Sequence, residues 1–328
     1  MKKQRLFLAA IILAVATLTA CNSAGSSGNT KTPESEPTIE HVMNTKAVLG
    51  EGSIWDYKNQ VLYWIDIQKS LLYMYNPAAE TNIPYDVFQN IGTIVPETDH
   101  TVIVALKDGV YRLFLRKDSL EFIGKPASLK EEERFNDGKC DPQGRFWVGT
   151  MRTKGKAGDS YLYRMDHDGT FTEMLDSVSI SNGIIWSPDG TKMYYTDTPT
   201  SKVMAFDFDG EKGTLSNPRV AVSVADTLGH PDGMTIDAEG KLWVAMWGGH
   251  AVCRFDPDNG ALLNRIEVPA KNVTSCAFGG PELEMLYITT ASTGMNDADK
   301  QKYPMAGGLF RVKPGVKGIK ANYFKPAR

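Results

Sequence analysis

At 236–245 the chain reads Ile236-Asp237-Ala238-Glu239-Gly240-Lys241-Leu242-Trp243-Val244-Ala245, a polar turn ending in glycine that is followed by an apolar run. Turn residues followed by aromatic and β-branched residues are the local signal of strands joined by a tight turn. The same pattern recurs at 141–149, which reads Asp-Pro-Gln-Gly-Arg-Phe-Trp-Val-Gly, and at Trp186-Ser187-Pro188-Asp189-Gly190. Recurrence of one segment predicts a repeat architecture.

Six copies of this segment can be aligned along the chain. The other three are a complete copy at 55–66, a degenerate copy at 96–104 and a copy centred on 280–284. One position marks the copies in order: Trp64, Val104, Trp147, Tyr195, Trp243 and Tyr287. The intervals between these positions are 40, 43, 48, 48 and 44 residues, and each interval accommodates four short antiparallel strands.

These observations predict an all-β protein, specifically a six-bladed β-propeller of four-stranded antiparallel blades. After the N-terminal region no window shows sustained apolar recurrence at helical spacing, and 30 Gly and 17 Pro residues interrupt every run, so a helical fold is excluded. A two-sheet sandwich also contains short strands, but it does not predict a repeat of this length.

The N-terminus has the parts of an export signal. Lys2, Lys3 and Arg5 precede an apolar run over 6–18, which is too short to span a bilayer. Leu18-Thr19-Ala20-Cys21 then resembles the lipobox of bacterial lipoproteins, and a polar segment rich in Ser, Gly and Pro follows. We therefore expect a signal peptide over 1–21, a flexible tether over 22–40 and the propeller over 41–328. Cys21 would carry the lipid that holds the exported protein on the bacterial cell envelope, at its periplasmic or surface face.

Charge and cysteine content limit the possible partners. The formal charge of -3 arises from 36 basic and 39 acidic residues that are mixed along the chain, so no basic stripe indicates nucleic-acid binding. Without Cys21, an odd number of cysteines remains and none has CxxC spacing, so we expect Cys140, Cys253 and Cys276 to be free thiols. The sequence indicates membrane contact through the N-terminal lipid only and no obligate protein partner.

Four oxygen-bearing residues occupy one phase of the repeat. Each lies four residues before the turn of its blade and next to or near a glycine; the four are Glu51, Asn136, Asn182 and Asp232. Asn-Gly and Asp-Gly are common turn dipeptides, but turn chemistry does not explain why such residues recur in one phase. Equivalent positions on different blades converge on the propeller axis. Two carboxylates and two amides there predict a site for a hard divalent cation such as Ca²⁺, Mg²⁺ or Mn²⁺.

The same segments carry a family resemblance that covers 47–321. Leu49-Gly50-Glu51-Gly52, Arg134-Phe135-Asn136-Asp137-Gly138-Lys139, Ser181-Asn182-Gly183 and Pro231-Asp232-Gly233-Met234 resemble motifs of the senescence-marker-protein/gluconolactonase family, also called regucalcin-like. That family consists of six-bladed propellers that act as metal-dependent lactonases. The resemblance implies that Glu51, Asn182 and Asp232 bind the metal, that Arg134 and Asn136 contact the substrate with Asn136 also near the metal, and that Asp232 is the catalytic base. A carboxylate that binds a metal loses proton affinity, so the second oxygen of Asp232 or a metal-bound hydroxide could serve as the base instead.

The expected function is therefore hydrolysis of a small sugar lactone with one divalent metal ion, Ca²⁺ first and Zn²⁺, Mn²⁺ or Mg²⁺ as alternatives. The ion would polarise the lactone carbonyl and an activated water would attack it. Two alternatives stay open. One is an arylesterase or phosphotriesterase on the same scaffold, and the other is a propeller that binds calcium or a ligand without catalysis.

Three further positions have a functional and a structural interpretation. His230 could relay a proton or be an ordinary hydrogen-bonded loop residue, and Trp247 could stack on a sugar ring or simply pack. Mammalian members of the family carry acidic residues after the strand that ends at Gly149-Thr150-Met151, where this chain has Arg152-Thr153-Lys154. The basic segment could meet an acidic lactone or lie on a solvated loop, so sugar preference does not transfer.

Overall fold

Six four-stranded antiparallel sheets make up the protein in the computed structural model, which describes residues 38–152 and 157–327. Blades 1 to 3 contain β2 (Gly50–Asp56), β3 (Val61–Asp66), β4 (Leu71–Asn76), β5 (Thr81–Asp86), β6 (Ile91–Thr98), β7 (Thr101–Leu106), β8 (Gly109–Phe114), β9 (Ser119–Gly124), β10 (Glu133–Cys140), β11 (Phe146–Arg152), β12 (Ser160–Met165) and β13 (Phe171–Val178). Blades 4 to 6 contain β14 (Ser181–Trp186), β15 (Lys192–Asp197), β16 (Lys202–Asp209), β17 (Thr214–Ser223), β18 (His230–Ile236), β19 (Leu242–Trp247), β20 (Ala251–Phe255), β21 (Leu262–Glu267), β22 (Asn272–Gly279), β23 (Met285–Ala291), β24 (Leu309–Val312) and β1 (Glu40–Met43). Short helical segments lie at Thr198–Thr200, Asp226–Leu228 and Asp297–Lys302.

The first strand of each blade contacts the first strands of both neighbouring blades, so the six inner strands close into a ring. The predicted six-bladed propeller is thereby confirmed. All six marker positions lie on the second strand of a blade, and each is buried. The repeat interval found in the sequence is therefore the number of residues along the chain from one blade to the next.

In blades 3 and 5 the repeated turn is held by an aspartate at its start. Asp141 Oδ1 accepts from the backbone N–H of Gln143 at 2.9 Å, and its Oδ2 accepts from Trp147 Nε1 at 3.0 Å. Asp237 makes the equivalent bond with Trp243 at 2.9 Å. One carboxylate satisfies both the turn and a buried indole. The spacing of six residues from Asp to Trp is the spacing that these two bonds require.

Blade 6 is completed by strand β1. Strand β1 pairs with β24, and Glu40 lies opposite Arg311 and forms an ion pair with it at 2.7 Å. This strand begins at Glu40, the last residue of the segment predicted as a tether. The predicted signal peptide, Cys21 and the tether up to residue 37 lie outside the described residues.

The C-terminal segment 318–327 contacts inner strands β2, β6 and β10 near their C-terminal ends. Asn322 Nδ2 donates to Cys140 O at 3.2 Å, the Phe324 N–H donates to Pro96 O at 2.9 Å, and the Tyr323 hydroxyl donates to Asp56. These bonds join the segment to three blades. It bounds a cavity of about 270 Å³ at that end of the ring.

The three cysteines of the described chain are buried and free, as predicted: Cys140, Cys253 and Cys276. Over 38–152 and 157–327, no helix has both the length and the apolar character needed to cross a membrane.

Each inner strand is irregular near its start. The pairing register shifts between Glu51 and Ile54 in β2, and equivalent shifts occur in β10, β14 and β18. Such a β-bulge adds an unpaired residue and redirects the side chains beside it. The bulges therefore lie at the residues that the repeat phase selected.

Candidate metal and substrate site

All five site residues predicted from the sequence line one cavity. The cavity has a volume of about 420 Å³ and lies where the inner strands begin; its polar lining includes Glu51, Arg134, Asn136, Asn182 and Asp232. They come from blades 1, 3, 4 and 5. Convergence of equivalent positions on the axis is thus what the repeat predicted, while the role of each residue stays a prediction.

A chain of hydrogen bonds links the polar residues of blades 3, 4 and 5. Arg134 Nη1 donates to Asn136 Oδ1 at 2.6 Å, and Asn136 Nδ2 donates to Asn182 Oδ1 at 3.2 Å. Asn182 Nδ2 then donates to Thr198 Oγ1 at 2.9 Å, and that hydroxyl donates to Pro231 O at 2.8 Å. Both amides are held at each end, so their orientation is fixed before any ligand binds.

Two buried carboxylates lie within electrostatic range of each other in this cavity. The pKa of Glu51 is raised from 4.5 to about 8, first by burial and then by the nearby Asp137 carboxylate. Burial also raises the pKa of Asp232 well above its ordinary value, with added repulsion from Glu51 and then Asp137. Crowding of negative charge in a dry site is costly, so these groups are suited to a cation.

Arg134 is the guanidinium of the cavity. Burial lowers its pKa to about 10, and the negative charges of Glu51 and Asp232 oppose that change. Arginine remains charged at neutral pH under these conditions. The charges of Arg134 and, less strongly, Lys139 favour the ionised form of Glu51, but they do not offset its burial and the charge of Asp137, so its pKa stays raised.

The donor set fits a divalent cation. Asp232 Oδ1 is buried and has no hydrogen-bond partner within 38–152 and 157–327, which is the situation of a ligand oxygen without its ion. Among these residues, no group of three or more His, Cys, Asp and Glu side chains is placed to hold a metal. An ion here would therefore be bound by two carboxylates and an amide oxygen, a set that suits hard cations.

Two residues of this region were not predicted. Asp137 is buried with one carboxylate oxygen unpartnered in the described chain, and its charge acts on both Glu51 and Asp232. Strand alternation would separate it from Asn136, but the bulge in β10 brings both near the cavity. Thr198 was also missed, because it lies outside the repeat phase on a helical turn between blade strands.

The positions that had both a functional and a structural interpretation from the sequence have different surroundings in the structure. His230 and Trp247 line the cavity, consistent with the functional interpretation of each. Arg152 forms ion pairs with Asp159 and, at 3.6 Å, with Glu132, while Met151 beside it contributes to the cavity wall. Arg152 is thus committed to loop contacts; Thr153 and Lys154 lie outside the described residues.

Comparison with known proteins places this geometry in a family. The family model described as SMP-30/Gluconolactonase/LRE-like region matches residues 49–292, which include all five predicted site residues. The chain is 43% identical over 270 residues to "Putative sugar lactone lactonase YvrE" of Bacillus subtilis, covering 82% of this chain and 92% of that protein. It is 35% identical over 293 residues to pentonolactonase XacC of Haloferax volcanii, covering 86% of this chain and 96% of that protein.

A solved structure agrees with these relatives. The structure of regucalcin from Agrobacterium tumefaciens, described as a calcium-binding protein, superposes with a TM-score of 0.83 at 29% identity, covering 87% of this chain and 96% of that one. The family-model match over 49–292 includes β2, β10, β14 and β18, the strands that supply the polar residues of the cavity. The chain therefore belongs to the SMP-30/gluconolactonase/LRE-like family.

Proposed function

We propose that this protein hydrolyses a small sugar lactone and that it needs one divalent cation to do so. The observation that carries the proposal is the buried pair Glu51 and Asp232, which line one cavity and whose pKa values stay raised although Arg134 lies nearby. The printed names of the Bacillus and Haloferax relatives, a sugar lactone lactonase and a pentonolactonase, support the substrate class.

Glu51, Asn182 and Asp232 would hold the ion. Calcium is the first candidate, because these are oxygen donors and the Agrobacterium relative is described as calcium-binding. A bound divalent cation supplies Lewis acidity, which polarises an ester carbonyl and lowers the pKa of water.

The protein groups have separate tasks in this proposal. A lactone is a cyclic ester, so hydrolysis joins a water oxygen to the carbonyl carbon and breaks the bond between that carbon and the ring oxygen. Asp232 would accept a proton from the water with one carboxylate oxygen and return it to the ring oxygen, which leaves as a hydroxyl. The new carboxylic acid then loses its proton to solvent. Arg134 orients the carbonyl oxygen or a neighbouring hydroxyl through its planar N–H donors, where negative charge develops.

Asn136 has a positioning task. Its Oδ1 accepts from Arg134 and its Nδ2 donates to Asn182 Oδ1, so it joins the substrate-binding guanidinium to the metal-binding amide. Substrate and ion are thereby held in one rigid frame, which lowers the entropic cost of reaching the reactive geometry.

A substrate panel tests the proposal. Purified protein, first stripped with EDTA and then reloaded with Ca²⁺, Mn²⁺, Mg²⁺ or Zn²⁺, is assayed against aldonolactones, an aryl ester and a phosphotriester. We expect lactone hydrolysis that disappears with EDTA and returns with metal. Activity on the aryl ester or phosphotriester alone would replace the substrate class, and metal binding without any hydrolysis would favour a binding protein.

A further inference from the structure

Much of the cavity lining is apolar. Six of its lining residues carry hydrocarbon, thioether or indole side chains: Leu49, Ile67, Met151, Ile180, Pro199 and Trp247. They come from loops and strand ends of blades 1, 3, 4 and 5, so the apolar surface surrounds the polar base. We call these six residues the apolar wall.

The backbone of the apolar wall is already hydrogen-bonded within the fold. The Leu49 N–H donates to Asp66 Oδ1 and its carbonyl accepts from the Ile67 N–H, while the Ile67 carbonyl accepts from Asn90 Nδ2 at 2.8 Å. The Ile180 N–H donates to Asp197 Oδ1, and its carbonyl accepts from the Thr198 N–H. These groups are therefore not free to bind substrate hydroxyls.

The polar base is also largely committed. The amides of Asn136 and Asn182 and the hydroxyl of Thr198 bond one another or the backbone. Among the cavity residues that the structure describes, uncommitted hydrogen-bond donors remain on Arg134, on the exposed His230 and on the Trp247 indole. Apart from the Trp247 indole, no side chain of the apolar wall can donate a hydrogen bond to a substrate hydroxyl.

We infer that the preferred substrate is a sugar lactone that presents an apolar group to the apolar wall, such as the methyl group of a 6-deoxysugar lactone. This inference rests on the proposed function. The methyl group would be removed from water against Met151, Ile180 or Trp247, whereas a hydroxyl at the same carbon would lose its water partners without replacement. A hydrophobic site discriminates against one added hydroxyl by about tenfold to a hundredfold.

Two pairs of probes differ only at carbon 6. L-Fucono-1,4-lactone is compared with L-galactono-1,4-lactone, and L-rhamnono-1,4-lactone with L-mannono-1,4-lactone, using the metal-loaded protein and correcting each rate for spontaneous hydrolysis. We expect kcat/KM to favour the deoxy member of at least one pair by about tenfold or more. Equal or greater efficiency with the hydroxylated members of both pairs would overturn the inference and leave lactone hydrolysis standing. Hydrolysis of none of the four and of no other lactone would overturn the proposed function itself.

A variant tests whether the apolar wall is the cause. Met151→Gln keeps the length of the side chain and adds an amide to the wall, so the preference for the deoxy member should shrink by about fivefold or more. Met174→Gln is the control, because Met174 is a half-buried methionine of the same blade that does not line the cavity. Melting curves of both variants report folding. An unchanged preference in a folded Met151→Gln variant would remove the wall as the determinant.

Discussion

The side-chain amide of Asn182 donates from Nδ2 to the Thr198 hydroxyl at 2.9 Å, and this bond commits the nitrogen end of the amide to the loop. The oxygen end is left beside Asn136 in the cavity. Thr198 in turn donates to Pro231 O, directly before Asp232. One hydroxyl thus sets the orientation of one proposed metal ligand and the backbone position of another.

Thr198→Val should weaken Ca²⁺ binding by about tenfold to a hundredfold, because valine keeps the shape but removes both hydrogen bonds that orient the ligands. Thr198→Ser retains the hydroxyl and should bind within a few-fold of the parent protein. Calorimetry measures both affinities, and melting curves report folding. Parent-like affinity in Thr198→Val would show that the amide needs no such support.

Replacement by glutamine should change the free energy of unfolding in opposite directions at two glutamates of similar burial. Glu51 is 8% exposed and Glu97 is 7% exposed, but Glu97 is held by Arg112 in two bonds of 2.7 and 2.8 Å. In EDTA at pH 8, Glu51→Gln should stabilise the fold by about 1 kcal/mol or more, since it removes a charge that burial disfavours. Glu97→Gln should destabilise it by about 1–3 kcal/mol.

Urea unfolding of the two variants and the parent measures these differences. Calcium should stabilise the parent and Glu97→Gln but hardly affect Glu51→Gln, because ligand binding stabilises only a fold that contains the site. If Glu51→Gln destabilised the metal-free protein as Glu97→Gln does, the carboxylate of Glu51 would be satisfied without an ion.

The fold could be predicted because the turn and the strand after it recur in the sequence of successive blades. The Asp141 turn and its bond to Trp147 are local, and the same spacing recurs at Asp237 and Trp243. The site could be predicted for the same reason: Asn182 and Asp232 hold one phase of the repeat, and the ring brings one phase to one place.

Features that depend on departures from the repeat could not be predicted. Asp137 reaches the charges of the site only because of a β-bulge, which alternation of strand residues does not indicate. Closure of blade 6 by strand β1 pairs residues about 270 positions apart, as between Glu40 and Arg311, and no local pattern records such a pairing. The C-terminal segment is likewise placed by long-range bonds.

Stability of the metal-free protein should fall as pH rises from about 5 to about 8. The pKa of Glu51 is raised from 4.5 to about 8 in the fold, and that of Asp232 is raised as well, so over this range the folded state holds more protons than the unfolded state. Deprotonation then favours unfolding. Calcium should reverse the loss and give its largest rise in Tm near pH 8, because it binds the deprotonated carboxylates.

Differential scanning calorimetry in EDTA and in Ca²⁺ at several pH values checks this prediction. The Glu51→Gln variant should show a shallower fall in Tm with pH than the parent. A Glu51→Gln variant whose Tm fell with pH as steeply as that of the parent would contradict the assigned direction of the Glu51 pKa shift.

We propose that Cys21 carries the lipid anchor, on the basis of Leu18-Thr19-Ala20-Cys21. Cys21→Ser should move the protein from the membrane fraction to the soluble fraction of a bacterial host. Lactone hydrolysis per folded molecule should be unchanged, since the substitution lies outside the propeller. Equal membrane association of both forms on fractionation and immunoblotting would argue against the anchor.

Arg134 offers the sharpest separation between substrate chemistry and metal binding. It donates to Asn136 and lies close enough to Glu51 and Asp232 for their charges to affect its pKa, yet a cation cannot be a ligand to another cation. Arg134→Ala should therefore lower kcat/KM for lactone by about tenfold to a thousandfold, a loss of about 1.4–4 kcal/mol in transition-state stabilisation. Calcium affinity should not fall, because removing a positive charge leaves the carboxylates more attractive to the ion.

Arg134→Lys keeps the charge but loses the planar donors, so it should recover only part of the activity. Kinetics, calorimetry and melting on the same preparations distinguish the outcomes: a purely structural arginine would lower Tm and leave turnover per folded molecule intact, which would remove Arg134 from the proposed site.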